Sequence, residues 1–377
     1  MERTLGPAEQ ARLDSRLIAA ARARDVEAAR RLVRQGADVN TQDEHQENAF
    51  LLATSEGPLA MLELTLRHGA RVDAKDSFDG TGMIRAADRG HADIVGRLVR
   101  AGTALDHVNN LGWTALHEAV ILGDGGRRYV DTVRVLVAAG ADTTVPSVRD
   151  GLTAREHARA AGHREIARLL VRVEREEVRR GRADAVLLQA AREGDADLAA
   201  LALRAGADLE ARDERRRTAL LVAVAEDRVE VARLLVHLGA DPDAVDDQQD
   251  TPWLVTGVTG SVRMLEVLLP AGPDLTLRNR FGGVSVIPAA ERGHVEYVRR
   301  VVRTGIDVDH VNDLGWTALL EAVILGDGGP RHQEVVRILL EAGADPGIAD
   351  KDGVTALEHA ERRDYDEIAR LLRRVNR

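Results

Sequence analysis

The sequence predicts an all-α protein, built as a solenoid of about eleven repeated helix pairs. Three observations predict it: glycines that recur about every 33 residues, apolar residues at helical spacing within each interval, and a composition that is 44% hydrophobic but only 2% aromatic. A chain of 377 residues is too long for one compact core, since cores commonly stop growing near roughly 250–300 residues. A repeat architecture avoids this limit because each unit packs only on its neighbours.

The period is read from glycines that open triplets resembling Gly-Ala-Asp. These glycines are Gly36, Gly69, Gly102, Gly140, Gly206, Gly239, Gly272, Gly305 and Gly343. Most of the intervals between them are 33 residues, two are 38 and one is 66, which is twice 33. A fixed period of this size is typical of small two-helix units that stack.

Within one period the sequence follows a constant order of signals. Residues 216–245 read RRTALLVAVAEDRVEVARLLVHLGADPDAV. Thr218 precedes a short apolar stretch and predicts the N-cap of a first helix. The stretch VEVARLLVHL has apolar residues at helical spacing and predicts a second helix, which Gly239 ends as a left-handed cap. The polar residues that follow predict a turn leading to the next unit.

These segments resemble the ankyrin family. TALLVAV and TALHEAV are similar to its T-P-L-H-x-A helix start, and VARLLVHLGAD is similar to its second helix and finger. The resemblance covers about residues 13–377. It implies stacked helix pairs with β-turn fingers on one side, and a concave face of fingers and first helices that binds a protein partner.

The chain is predicted to contain two repeat blocks. Five units fall in residues 13–175 and six in 184–377, and the charged stretch 172–183 between them predicts a helical junction. The unit at 151–175 lacks a finger, and the unit that begins near 184 lacks the threonine start, as terminal units often do. The 66-residue interval nevertheless keeps the register, so one unbroken stack is the alternative.

One segment is preserved between the blocks far better than the rest. Residues 106–126 match residues 309–329, which lie 203 positions later, at 19 of 21 positions, whereas residues 47–67 match 250–270 at only 6 of 21. Unequal divergence after a duplication indicates unequal constraint, although recent local gene conversion is a rival explanation. The preserved segment contains a tryptophan before the helix start and a five-residue insertion, LGDGG, between the helices.

We therefore predict that the partner binds around this segment in both blocks. Ile121, Leu122, Ile324 and Leu325 are placed on the concave groove by the resemblance. The alternative is a purely structural role, in which the longer loop buries the apolar residues and the histidines and asparagines only join neighbouring fingers. The predicted partner-binding residues are Phe78, His107, Asn109, Leu111, Trp113, Ile121, Leu122 and Asp124, with Phe281, His310, Asn312, Leu314, Trp316, Ile324, Leu325 and Asp327.

The sequence offers a second, polar site as an alternative. Glu118 and Glu321 occupy a helix position that is usually apolar, and His157 and His359 hold the equivalent position in the following units. Stacking would bring each glutamate near a histidine, either as an acid–base or metal-binding pair with the loop aspartates, or as a buried structural pair. This is the basis of an alternative function, that of a small-molecule or metal-binding protein that could also act as a catalyst.

Composition narrows the remaining possibilities. The net charge of −10 argues against a broad nucleic-acid-binding surface. The absence of cysteine excludes disulfides and thiolate zinc sites, and no apolar run is long enough for membrane insertion. No nucleophile elbow, P-loop, H-E-x-x-H or dinucleotide fingerprint occurs, so neither an enzyme activity nor a cofactor is predicted. We expect a cytoplasmic interaction protein with an unidentified protein partner.

Overall fold

The structure is a computed structural model that describes residues 6–375. In that range it contains 22 α-helices, three short 3₁₀ segments and, as its only β pairing, four isolated bridges. The helices form eleven consecutive pairs, which confirms the predicted all-α solenoid and the predicted number of units. In chain order the helices are α1 Pro7–Arg22, α2 Val26–Arg34, α3 Ala49–Ser55, α4 Leu59–Arg67, α5 Gly82–Asp88, α6 Ala92–Arg100, α7 Ala115–Ile121, α8 Arg127–Ala138, α9 Ala154–Ala160, α10 Arg164–Glu174, α11 Ala183–Glu193, α12 Ala196–Arg204, α13 Ala219–Ala225, α14 Val229–Leu238, α15 Pro252–Thr259, α16 Val262–Leu268, α17 Val286–Glu291, α18 Val295–Val301, α19 Ala318–Ile324, α20 Pro330–Glu341, α21 Ala356–Arg362 and α22 Asp366–Val375.

Most of the helix pairs begin and end with the local chemistry that the sequence predicts. Thr114 and Thr218 are N-caps whose side chains accept a hydrogen bond from the backbone three residues later. Gly140 and Gly239, just after second helices, have φ of 97° and 92°, a left-handed conformation that favours glycine. The buried core is built mainly from alanine, leucine, valine and isoleucine, as the scarcity of aromatic residues requires.

The chain divides into two compact units. The first comprises residues up to Val186 together with Ala196–Ala207 and His237–Gly239, and the second comprises Leu187–Asp195, Asp208–Val236 and the residues from Ala240 onward. The α11–α12 pair is thus shared between them. The division into blocks at 13–175 and 184–377 stays a prediction.

Within the first unit, α12 packs against α8 and buries an ion pair. Arg134 on α8 donates to Asp197 on α12 with an Nε–Oδ1 distance of 2.7 Å, and Asp131 is 3.4 Å from the same guanidinium. All three residues are less than a tenth exposed. Buried ions of this kind are tolerated only when they are paired, so α8 and α12 depend on one another.

The charged junction differs from the prediction. We expected helical structure through 172–183, but α10 ends at Glu174 and Glu176 adopts a left-handed φ of 46°. Helix resumes only with a 3₁₀ segment at Arg180–Arg182. A non-glycine residue at positive φ interrupts a helix without leaving a glycine in the sequence to signal the break.

Among the described residues, none of the helices is both long enough and apolar enough to cross a membrane.

Candidate functional site

The preserved segment folds as a finger followed by an inner helix, and an asparagine organises the finger. Asn109 Oδ1 accepts hydrogen bonds from the backbone N–H groups of Leu111 and Trp113, both at 3.0 Å, and the backbone N–H of Asn109 donates to the carbonyl of Trp113. In the second unit Asn312 makes the same bonds to Leu314 and Trp316. Each tryptophan is therefore fixed immediately before the threonine that caps the inner helix.

Exposed apolar residues continue from this finger to its neighbours in the first unit. Phe78 is 61% exposed, and its carbonyl accepts from the backbone N–H of Asn110 at 2.9 Å. On the other side, the N–H of Val148 donates to the carbonyl of Gly112 at 3.1 Å, and Val148 is 77% exposed. Phe78, Leu111, Trp113 and Val148 thus lie on three adjacent fingers; we call them the first finger strip.

The second unit carries a matching strip, the second finger strip, formed by Phe281, Val311, Leu314 and Trp316. Phe281, Val311 and Leu314 are each between 44% and 51% exposed, and Phe281 accepts at its carbonyl from the N–H of Asp313. Its third finger differs, because Lys351 stands at the position of Val148. Sequence reasoning missed Val148 and Val311, although an apolar residue among the polar residues of a finger is a usable signal.

The inserted loop lies at the other end of the inner helix from the tryptophan. Helix α7 has seven residues, so Trp113 and Leu122 are separated by roughly 12 Å along its axis. The insertion supplies both a longer loop and a longer outer helix, since α8 has 12 residues whereas α6 has nine. Leu122 and Leu325 remain 50% exposed, and Ile121 and Ile324 are half-buried. The loop therefore does not fold over the tryptophan.

The two glycines and the aspartate of the loop form a closed turn. Asp124 Oδ1 accepts from the N–H of Gly126 at 2.7 Å, and Asp327 accepts both from the N–H of Gly329 and from Nδ1 of His332. Gly125 has a φ of 68°, and a Cβ on it would lie 2.4 Å from the ring of His163. The turn fills its own donors, as expected of a structural loop.

Polar residues of the fingers are largely used within the fold. His107 Nε2 lies 2.7 Å from the carbonyl of Asp79, and His310 Nε2 lies 2.7 Å from the carbonyl of Gly282. Each histidine thus joins two neighbouring fingers. Asn109 and Asn312, predicted to line the binding strip, are only 7% and 6% exposed and support the strip from below.

Glu118 and Glu321 are buried and bonded, but not to the expected partners. Asn109 Nδ2 donates to Glu118 Oε1 at 2.7 Å, and Asn312 Nδ2 donates to Glu321 Oε1 at 2.8 Å. The two glutamates are 4% and 6% exposed. Burial, which removes water from the carboxylate, is the main cause that raises the pKa of each to about 7.

The histidines that we expected beside these glutamates point to aspartates of their own fingers. His359 Nε2 is 2.7 Å from Asp350 Oδ2, and His157 Nε2 is 3.4 Å from Asp150 Oδ1. Within residues 6–375 no hydrogen bond joins Glu118 to His157 or Glu321 to His359. The expected pairing between neighbouring helix pairs is replaced by pairing within each finger and helix pair.

These contacts follow one rule that the sequence could have revealed. The residue four positions after the helix cap is polar in five units, and in each it faces an aspartate or asparagine of complementary chemistry in its own finger. The pairs are Arg85 with Asp76, Glu118 with Asn109, His157 with Asp150, Glu321 with Asn312 and His359 with Asp350. Most are nine residues apart, a spacing too short to suggest contact between units.

Within residues 6–375, neither a metal-binding group nor either of two open surface cavities includes Glu118 or Glu321. In the described part of the chain, no three His, Asp or Glu side chains are grouped to hold a metal ion. One open cavity of about 550 Å³ lies among the early fingers around Gln42, Arg71 and Lys75. Another, of about 600 Å³, is lined by the residues that follow α10 and by the end of α12. Glu118 and Glu321 line neither.

Comparison with protein families identifies the repeats. The model described as "Ankyrin repeats (3 copies)" matches residues 50–147, 83–180, 154–246, 187–279, 253–350 and 287–376, and the model described as "Ankyrin repeat" matches residues 14–44.

Several known proteins share part of the sequence. The putative ankyrin repeat protein YahD of Escherichia coli (strain K12) is 50% identical over 104 residues, which are 27% of this chain and 52% of YahD. Human ankyrin repeat domain-containing protein 63 is 36% identical over 100 residues, 26% of each protein. A crystal structure of an ankyrin repeat domain from Acinetobacter baumannii AYE is 47% identical, covers 50% of this chain and 97% of that domain, and has a TM-score of 0.49. The chain spans about half or less of the length of these two curated relatives.

Proposed function

Because the chain belongs to the ankyrin-repeat family, whose repeats are generally protein–protein interaction scaffolds, we propose that it binds a protein partner through its two finger strips. The observation that carries the proposal is a duplicated row of exposed apolar side chains on adjacent fingers, around Trp113 in one unit and Trp316 in the other. Aromatic residues flanked by apolar neighbours are the usual anchors of protein interfaces.

The fingers are also suited to binding because they are fixed in advance. The tryptophan backbone is bonded to a buried asparagine, and neighbouring fingers are tied by backbone bonds and by His107 or His310. A surface that is already ordered loses less conformational entropy on association. Two strips of nearly the same sequence suit a dimeric or repeated partner, which could engage both with a gain from avidity.

Capture with matched variants tests the proposal. The intact chain and a Phe78→Ser, Phe281→Ser double variant are immobilised, and captured proteins are identified and then measured as purified pairs. Both phenylalanines are more than half exposed, so the fold should persist, which circular dichroism verifies. Loss of an interface anchor costs about 2 kcal/mol or more, so affinity should fall roughly 30-fold.

A Val375→Ala variant provides the control, since Val375 is 52% exposed but lies at the end of the last helix. A Trp113→Ala, Trp316→Ala variant tests the centre of each strip directly. If the phenylalanine and tryptophan variants retain the same partners at wild-type affinity, the finger strips are not the binding faces.

A further inference from the structure

The buried glutamate and the tryptophan finger are mechanically connected in both units. In the first unit, Asn109 uses its amide N–H to hold Glu118 and its carbonyl oxygen to hold the backbone of Leu111 and Trp113. Asn312 does the same for Glu321 and the finger of Trp316. All four polar residues are less than a tenth exposed. A displacement of the carboxyl group therefore shifts the asparagine, and with it the finger.

The surroundings of Glu118 do not favour a negative charge. The nearby charges that act on it are Asp88 at the end of α5 and Asp76 of the preceding finger, both acidic. Arg85 of α5 is already bonded to Asp76, and His157 of α9 is directed toward Asp150.

On the remaining sides, α8 contributes Tyr129, whose hydroxyl donates to the carbonyl of Asp88, and α7 itself contributes His117. Burial is the largest effect lowering the pKa of His117, which favours its neutral form. The hydrogen bond that Glu118 receives comes from the neutral amide of Asn109.

Glu321 has a similar setting with different neighbours. Glu291, the last residue of α17, opposes its ionisation, and Arg292 next to it favours ionisation less strongly. His332 of α20 is bonded to Asp327 and to the carbonyl of Glu291, and His359 of α21 is bonded to Asp350. Burial again outweighs the other effects on the pKa of Glu321, as it does for Glu118.

We propose that the protonation state of Glu118 and Glu321, each bonded to the asparagine that holds a tryptophan finger, sets the position of that finger and thereby the shape of each finger strip. When the carboxyl is neutral it stays buried and accepts the asparagine amide, and the finger is held as described. When it releases its proton to solvent, the buried carboxylate gains hydration by moving outward, and it draws the asparagine and the finger with it. The finger movement is independent of the proposed function; only its effect on partner binding rests on that function.

Tryptophan fluorescence of the full chain tests this without any partner. Trp253, which is fully buried, is first replaced by phenylalanine, the residue at the matching position 50, so that only Trp113 and Trp316 report. Emission and acrylamide quenching are then followed from pH 5 to 9, with circular dichroism to verify the fold. We expect a transition with a midpoint near pH 7, at which both glutamates change protonation state.

Two variants separate the effect of the glutamates from that of His117, which lies on the same helix as Glu118. Glu118→Gln with Glu321→Gln should abolish the transition, whereas His117→Leu, which introduces the residue found at Leu320, should retain it. If the transition is absent from the folded parent, or persists with both glutamines, the inference is wrong. Because the readout needs no partner, either result leaves the proposed binding faces to be judged by the capture experiment alone.

Discussion

Replacing Glu118 by glutamine should make the protein more stable at alkaline pH. The pKa of the carboxyl is raised from 4.5 to about 7 because burial removes its hydration, so the folded state keeps a proton that the unfolded state has released. The free energy of unfolding therefore decreases as the pH rises from 4.5 to 7, and this group adds no further slope outside that window. Glutamine does not titrate and can still accept the Asn109 amide.

The magnitude follows from the size of the shift. One pKa unit corresponds to about 1.36 kcal/mol, so ionising the buried carboxyl costs about 3 kcal/mol at pH 8, an order-of-magnitude value. Glu118→Gln should thus be close to wild type at pH 4.5 and more stable by about that amount at pH 8. Glu321→Gln should behave in the same way, since the pKa of Glu321 is raised to about 7 as well.

Urea unfolding followed by circular dichroism at a series of pH values measures the effect. Repeat arrays can unfold in steps, so the comparison is made on the transition that each glutamine variant shifts. Glu27→Gln is the control, because the Glu27 side chain is 71% exposed and should leave the pH dependence unchanged. Parallel pH dependences for wild type and Glu118→Gln would refute the argument that ionisation of this carboxyl is costly.

Three further substitutions test the packing, each measured by thermal or urea unfolding. Asn48→Thr should stabilise by about 1 kcal/mol, because the buried Asn48 amide N–H has no protein partner among the described residues and the second block carries threonine at this cap; unchanged stability would argue that the amide is satisfied. Gly125→Ala should cost about 1–3 kcal/mol, because of its positive φ and the close ring of the next unit; a neutral effect would show that the turn relaxes freely. Arg134→Ala should cost about 3–5 kcal/mol by leaving Asp197 buried without its cation. Arg337→Ala, at the matching but more exposed position, should cost about 0–1 kcal/mol, and equal effects would contradict the role of burial.

Most of the fold could be predicted because the repeat is encoded locally. Threonine caps, glycine terminators and helical apolar spacing occur within each unit, so they fix the helix pairs without knowledge of distant contacts. The packing of α12 on α8 could not be read in this way, because it joins Arg134 to a residue 63 positions later. The sequence does contain one hint of this packing. Ala138 on α8 occupies the position of Glu341 in the second block, and a small residue there leaves room for α12 to pack on α8.

The polar contacts were harder to predict than the helices. The glutamate and histidine occupy the same position in successive units, which suggested contact through stacking, but the finger of the same unit lies closer. The residue at position 109 is the signal that was overlooked. The preceding finger has Asp76 at the same position, where it faces Arg85. In the next repeat a glutamate replaces the arginine, and an asparagine replaces the aspartate. An aspartate there would place two carboxylates together, and the amide supplies a donor instead.

This pairing also explains why the preserved segment is preserved as a unit. In each copy, consecutive hydrogen bonds link the tryptophan backbone, the asparagine and the glutamate. A substitution of the asparagine or the glutamate therefore changes the hydrogen bonds available to the others. His117 differs from Leu320 in the other copy, and it lies outside that chain of bonds. Constraint on the half-buried tryptophan alone would not require a buried Asn–Glu pair in both copies. Constraint on the position of its finger would, and that is the property on which a preformed binding strip depends.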